Sequence, residues 1–314
     1  MPIIGPFDPE EFDGLYAGPG DEERGKVLAA ITASGRGWKS TGDAIVLADG
    51  NRWRPDLQAG DKRVLALSLE GEIPQALLRR MRAAQEGVYE LTVALGSARL
   101  EVSMLLHLQE LDARILAVDW FDRTVPQFAE YRSIADWIAS ERIALSPEDL
   151  QTLALSRLDA ALEDPTSVKG RLYEEVLCLV FSQVPWLTVD EHAYRNESEE
   201  IDLILGVHAT GHIAGLAKGP VAIATAKNEA KATGSATVKY LKEQMTNRKG
   251  RCKLGFLCSA STISSDAKAE ILRGSQSSDM VYACIDLEDL RGLLGEPAEL
   301  DEGIQNIIRR AIDA

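Results

Sequence analysis

The sequence predicts an α/β protein built from two successive α/β parts. Three observations predict it. Short apolar runs alternate with amphipathic helical stretches along most of the 314 residues. Turn and cap residues sit between them at short spacing. The composition, 45% hydrophobic and 26% charged, is that of an ordinary water-soluble globular chain long enough for two domains.

Residues 1–25 are rich in Gly, Pro, Asp and Glu and read as a poorly ordered lead-in. Residues 26–166 read as an α/β accessory or partner-recognition domain, and 167–314 as a second domain. In the first, Ala44–Ala48 and Arg52–Arg54 flank Asp49-Gly50-Asn51 and predict a hairpin. Strands follow at Val64–Leu69, Tyr89–Leu95 and Arg114–Trp120, with helices at Ile73–Gln85 and Leu100–Leu111 between them, the latter capped by Ser97. Short crossovers between strands predict a small parallel sheet. Its strand-to-helix turns, Glu70-Gly71-Glu72 and Gly96-Ser97, carry no Gly-rich phosphate loop, so nothing here predicts a nucleotide site. Residues 123–166 read as mostly helical. Ser146-Pro147-Glu148-Asp149 is a helix start, and Asp164-Pro165-Thr166-Ser167 the domain boundary.

The second domain reads helix Gly170–Phe181, strands Trp186–Tyr194 and Glu200–Val207, a Gly/His loop, and strand Val221–Lys227. Helix Ser235–Thr246, strand Cys252–Ser259, helix Ser264–Leu272, strand Met280–Asp286 and helix Leu287–Leu294 follow, with helical spacing again over Asp301–Ile312. His208 and His212 fall in the glycine-containing loop, a poor setting for a zinc pair.

The net charge is −15, which taken alone argues against nucleic acid. The charge is uneven. Residues 1–166 hold 17 basic and 28 acidic groups (17 − 28 = −11), which leaves −4 for the remainder. Lys227–Lys253 holds eight basic residues against Glu229 and Glu243, a local +6 able to hold a phosphate backbone. Cys178, Cys252, Cys258 and Cys284 lack Cys-x-x-Cys spacing and read as free thiols of a reducing cytoplasm. No apolar run is long enough to span a bilayer, and the first residues lack a secretory signal, so the expected location is cytoplasmic.

Three pieces of the second domain carry chemistry. Gly170-Arg171-Leu172-Tyr173-Glu174 presents an acid on a helix, Glu200-Ile201-Asp202-Leu203-Ile204 an acid on a strand, and Ala224-Thr225-Ala226-Lys227-Asn228 a lysine at a strand exit. In this order they resemble the restriction-endonuclease-like, PD-(D/E)xK superfamily, in particular its Mrr-type branch, over residues 168–295. The resemblance implies a mixed sheet flanked by helices. It also implies a Mg²⁺- or Mn²⁺-dependent endonuclease acting on DNA, of the kind found in prokaryotic antiviral defence and restriction systems, working with a second protein subunit or as a homo-oligomer. Asp202 and Glu174 would hold the metal, and Lys227 would orient the attacking water and offset phosphate charge. Lys231, Lys239, Gln244, Arg248, Lys249 and Arg251 would contact the nucleic acid. Thr225 stands where the family places a carboxylate. Glu229 would compensate if the strand ran on, since alternate residues share a face. Otherwise the domain is a catalytically inactive fold that binds nucleic acid or a partner.

Overall fold

The computed structural model describes residues 21–40, 44–60, 62–68, 73–87, 89–95, 100–121, 125–166, 168–196 and 199–313. The chain divides into two compact units, Met1–Arg132 and Ser133–Ala314.

In the first unit, helix α1 (Asp21–Ala33) precedes the hairpin β1 (Ile45–Val46) and β2 (Arg52–Trp53), where Ile45 pairs with Trp53 across the expected turn. A five-stranded sheet follows: β3 (Leu57–Ala59), β4 (Arg63–Ser68), β5 (Glu90–Leu95), β6 (Arg114–Phe121) and β7 (Val125–Tyr131), adjacent in that order. The three central strands are parallel, as predicted, with helix α2 (Gln75–Glu86) and helix α3 (Val102–Glu110) as crossovers. Buried Leu65, Leu67, Ala94, Leu116 and Val118 pack with Val27 and Ile31 of α1 and with Trp38.

The structure differs from the sequence reading in four places here. Residues 21–25 belong to α1, not to a lead-in; residues 1–20 lie outside the described residues. The N-cap of α3 is Glu101, without a side-chain cap bond, and Ser97 lies outside the described residues, as do both strand-to-helix turns read for a phosphate loop. Residues 125–131 form a strand where helix was expected. Phe128 packs on the core while Glu130 collects Arg63 at 3.1 Å, Arg36 at 3.4 Å and Arg114 at 3.8 Å, so cross-strand partners decide the conformation. Pro126 is tolerated there because β7 is an edge strand.

The fourth difference is the boundary, which falls at Arg132/Ser133 and not at 166/167. Helix α4 (Ile134–Ser140) and helix α5 (Pro147–Glu163) belong to the second unit. α5 starts as predicted, with the Ser146 hydroxyl accepting the Asp149 amide and Pro147 in the first turn. It buries Leu150, Leu153, Ala154, Leu158 and Ala161. It also buries Arg157, whose Nε donates to Glu175 Oε2 at 2.6 Å in helix α6 (Val168–Ser182). Arg171 adds a second bond to Glu175, at 2.7 Å. A buried ion pair and an apolar stripe therefore tie α5 to α6 and so to the second unit.

The second unit is a five-stranded mixed sheet: β8 (Leu187–Arg195), β9 (Glu200–Val207), β10 (Val221–Lys227), β11 (Cys252–Ser259) and β12 (Val281–Ile285). β8, β9 and β10 are antiparallel neighbours, and β10, β11 and β12 are parallel. α6 packs on one face, where the Phe181 and Phe256 rings lie 4.9 Å apart. Helix α8 (Ser235–Asn247) and helix α9 (Ser265–Ser277) cover the other, burying Val238, Leu241, Met245 and Ala267 with Ile223 and Leu257. The predicted Gly/His loop contains a short helix, α7 (Gly211–Ala217), and helix α10 (Leu287–Gly295) and helix α11 (Leu300–Asp313) close the chain. The architecture is thus mixed α/β, with two five-stranded mixed sheets flanked by helices. Among the described residues no helix is long and apolar enough to cross a membrane.

Candidate functional site

Asp202 stands near the start of β9, opposite the exit of β10. The last paired residues of the two strands are Leu203 and Ala224, so β9 and β10 part just beyond them. Backbone pairing is replaced there by the side chain: Asp202 Oδ2 accepts the Ala226 amide at 2.6 Å. This ties the carboxylate to the residue immediately before Lys227. On β8, Ala193 takes a left-handed φ of 54° between the pairs His192–Leu203 and Tyr194–Ile201. The pairing register runs unbroken through Ala193, and the β-bulge of this strand pair lies farther along β8, between Val189 and Glu191.

Burial and four neighbouring groups bear on the charge of Asp202. Its pKa is raised from 3.8 to about 6, first by burial, against which the Ala226 amide works. Glu174 raises it further, Lys227 lowers it, and Glu200 raises it. The helix acid, the strand acid and the strand-exit lysine of the sequence reading are therefore brought within electrostatic range of one another. A half-buried carboxylate crowded by a second one is the setting that a hard divalent cation relieves, and both donors are oxygens of the kind Mg²⁺ takes.

Glu174 and its neighbour Glu175 divide roles. Glu175 is buried in the Arg157 and Arg171 pairs and is structural. Glu174 is partly exposed, and its Oε2 lies 3.3 Å from His192 Nε2. His192, on β8, places its other nitrogen, Nδ1, against Asp136 Oδ1 of α4. Burial opposes charge on His192, but Cys178, Asp136 and Glu174 around it outweigh that and raise its pKa. Burial in turn pushes the Cys178 thiol up to about 11, with His192 beside it working the other way. Sequence reading missed His192, Asp136 and Cys178. They lie far apart in the chain and show no motif spacing.

The other expected site residues fare unevenly. β10 ends at Lys227, so strand alternation does not carry Glu229 onto the face of Thr225 and Lys227; Glu229 is exposed and pairs with Lys231 at 3.6 Å. Thr225 is 1% exposed. Its hydroxyl bonds Gln244 Oε1 at 3.3 Å, and Gln244 Nε2 donates to the Glu200 carbonyl at 2.6 Å. Gln244 is thus a buried strut between α8 and the sheet, not a surface contact for nucleic acid. Arg248 pairs with Glu199 at 2.8 Å and lies over the Tyr194 ring, 5.6 Å from its centre, so its charge is already partnered. Lys231, Lys239, Lys249 and Arg251 are exposed. Asn228 anchors the end of β10 by donating to the carbonyls of Ala161 and Lys169, each at 2.8 Å.

His208 and His212 take separate partners, Thr188 at 3.1 Å and Gln305 at 3.2 Å. The four cysteines are free thiols, three of them fully buried. A cleft of about 820 Å³ lies elsewhere in the unit, between α9, β12, α10 and α11, and includes none of the site residues named above. Comparison with protein-family models, with curated proteins and with solved structures finds none that matches this chain.

Proposed function

We propose that the second unit is a divalent-metal-dependent phosphodiesterase of the restriction-endonuclease-like kind, acting on DNA. One observation carries the reading: the Asp202 carboxylate is tied to the backbone one residue before Lys227, with Glu174 close enough to shift its charge. An aspartate, a second carboxylate and a lysine converging at a strand exit are suited to charge-compensated attack on a phosphodiester. Asp202 and Glu174 would hold Mg²⁺ or Mn²⁺, which supplies charge neutralisation at the phosphate when bound. Lys227 would place its ammonium against the phosphate oxygens and orient the attacking water. Lys231, Lys239, Lys249 and Arg251 would steer the backbone toward this end of the sheet. A second subunit or a second copy of this chain, and a place in antiviral defence, are further parts of this proposal.

A second reading has its own observation. Thr225 brings no carboxylate and is buried against Gln244. The unit would then bind DNA or a partner without cutting.

Calorimetry with Mg²⁺ or Mn²⁺ on the wild-type chain and on Asp202→Ala tests the site. Binding heat in the first and none in the second is expected, and equal heats in both would remove the basis for a metal site at Asp202. Plasmid cleavage then separates the readings. Metal-dependent nicking abolished by Asp202→Ala and by Lys227→Ala identifies an enzyme. Retained DNA binding without cleavage identifies the binding module.

A further inference from the structure

We propose that Asp136, Cys178 and His192 form a second metal site, for a zinc-class cation, distinct from the Asp202–Glu174–Lys227 arrangement. One ligand atom of each residue lies within 4.8 Å of the other two. Tetrahedral zinc, with bonds of about 2.0–2.3 Å, needs donors about 3.5 Å apart, so small side-chain shifts complete the geometry. The three donors come from three packed elements, α4, α6 and β8, so the packing of the unit holds them and no flexible loop is involved.

The donor set selects the metal. A thiolate, an imidazole and one carboxylate suit zinc or cobalt, whereas Mg²⁺ requires oxygen ligands. Two bound anionic donors and a neutral imidazole would balance a dication in this buried place. The Cys178 side chain is wholly inaccessible, and those of His192 and Asp136 are 10% and 11% exposed. Such a site is largely shielded from water.

The surroundings of His192 supply the second observation. Bound through Nδ1, on the Asp136 side, His192 would keep its Nε2–H for Glu174, 3.3 Å away. A ligating histidine that donates its other N–H to a carboxylate is the usual outer arrangement of a zinc site, and it fixes the ring and its tautomer. Glu174 lies one helical turn before Cys178 on α6, so it reaches the ring from the same helix face. The zinc-class ion would therefore brace the residue that faces Asp202, one shell behind the proposed catalytic metal.

The 314-residue chain, stripped with chelator and titrated with Co²⁺, tests this. Expected is a thiolate-to-cobalt charge-transfer band in the near ultraviolet that saturates at a single equivalent and is displaced by Zn²⁺. Cys178→Ser and His192→Ala should abolish the band, and Glu174→Gln should weaken Zn²⁺ affinity about 10–100-fold. Asp202→Ala should keep the band, which separates this site from the proposed nuclease centre. A wild-type chain that shows no thiolate-to-cobalt band overturns the proposal without reference to any variant. So does a band that survives Cys178→Ser.

Discussion

Replacing Asp202 by Asn should stabilise the metal-free protein, and only above a definite pH. The carboxyl is raised from 3.8 to about 6, chiefly by burial, with Glu174 adding to it. A carboxyl raised on folding contributes stability below its unfolded value and loses that contribution as pH rises through its folded value. At about 1.4 kcal/mol per pH unit, the ionised group costs the folded state up to about 3 kcal/mol above pH ~6. Asparagine avoids that cost and can still accept the Ala226 amide through its carbonyl oxygen. In chelator at pH 7.5, thermal unfolding of Asp202→Asn should therefore lie roughly 6–12 °C above wild type. The gap should close near pH 4, where the wild-type carboxyl is protonated in the folded state. Saturating Mg²⁺ should close it from the other side. At a hundredfold excess over Kd it stabilises only the wild-type chain, by about 2.7 kcal/mol. A variant that is no more stable than wild type at pH 7.5, or a gap that persists unchanged at pH 4, would refute the reasoning.

Three further outcomes rest on named contacts. Arg157→Ala should destabilise the second unit by about 3 kcal/mol, the lower part of the range for a broken buried pair, because Arg171 still reaches Glu175. Chemical denaturation checks this, and a double replacement, Arg157→Met with Glu175→Leu, should recover most of the loss. Gly255→Ala would put a Cβ 2.6 Å from Met245 Sδ and 3.2 Å from a Leu241 methyl, so these two buried side chains must repack between α8 and β11 at a cost of about 1 kcal/mol; an unchanged unfolding midpoint would contradict that packing. DNA binding measured against salt should lose about one unit of log–log slope for Lys249→Ala or Arg251→Ala. Arg248→Ala should lose less, since Glu199 already partners that guanidinium. Equal losses at all three positions would count against the assigned roles.

The central parallel strands of the first sheet and nearly every element of the second were legible because their signals are local. Ser146-Pro147 caps α5 as expected, and Asp286 starts α10 with a full capping box, since both bonds form within one turn. What local signals could not supply was partnership. β7 exists because β6 pairs with it, and α5 sits with the second unit because Glu175 needs Arg157. The candidate site divides in the same way. Asp202, Glu174 and Lys227 could be named from the residues, because an acid on a strand and a lysine at a strand exit are visible in one dimension. That Gln244 is a strut, that Arg248 is already partnered, and that β10 stops before Glu229 depend on contacts between residues distant in sequence.

The amino-acid order by itself determined most of the strands and helices, β7 and α7 excepted, and which of them carry an acid or a lysine, because hydrophobic period, caps and turns act over a few residues. Only the tertiary structure decided that Asp136, Cys178 and His192 meet behind Glu174. Their juxtaposition is set by how α4 and α6 pack on β8, and packing, unlike periodicity, leaves no repeat in the chain to be read.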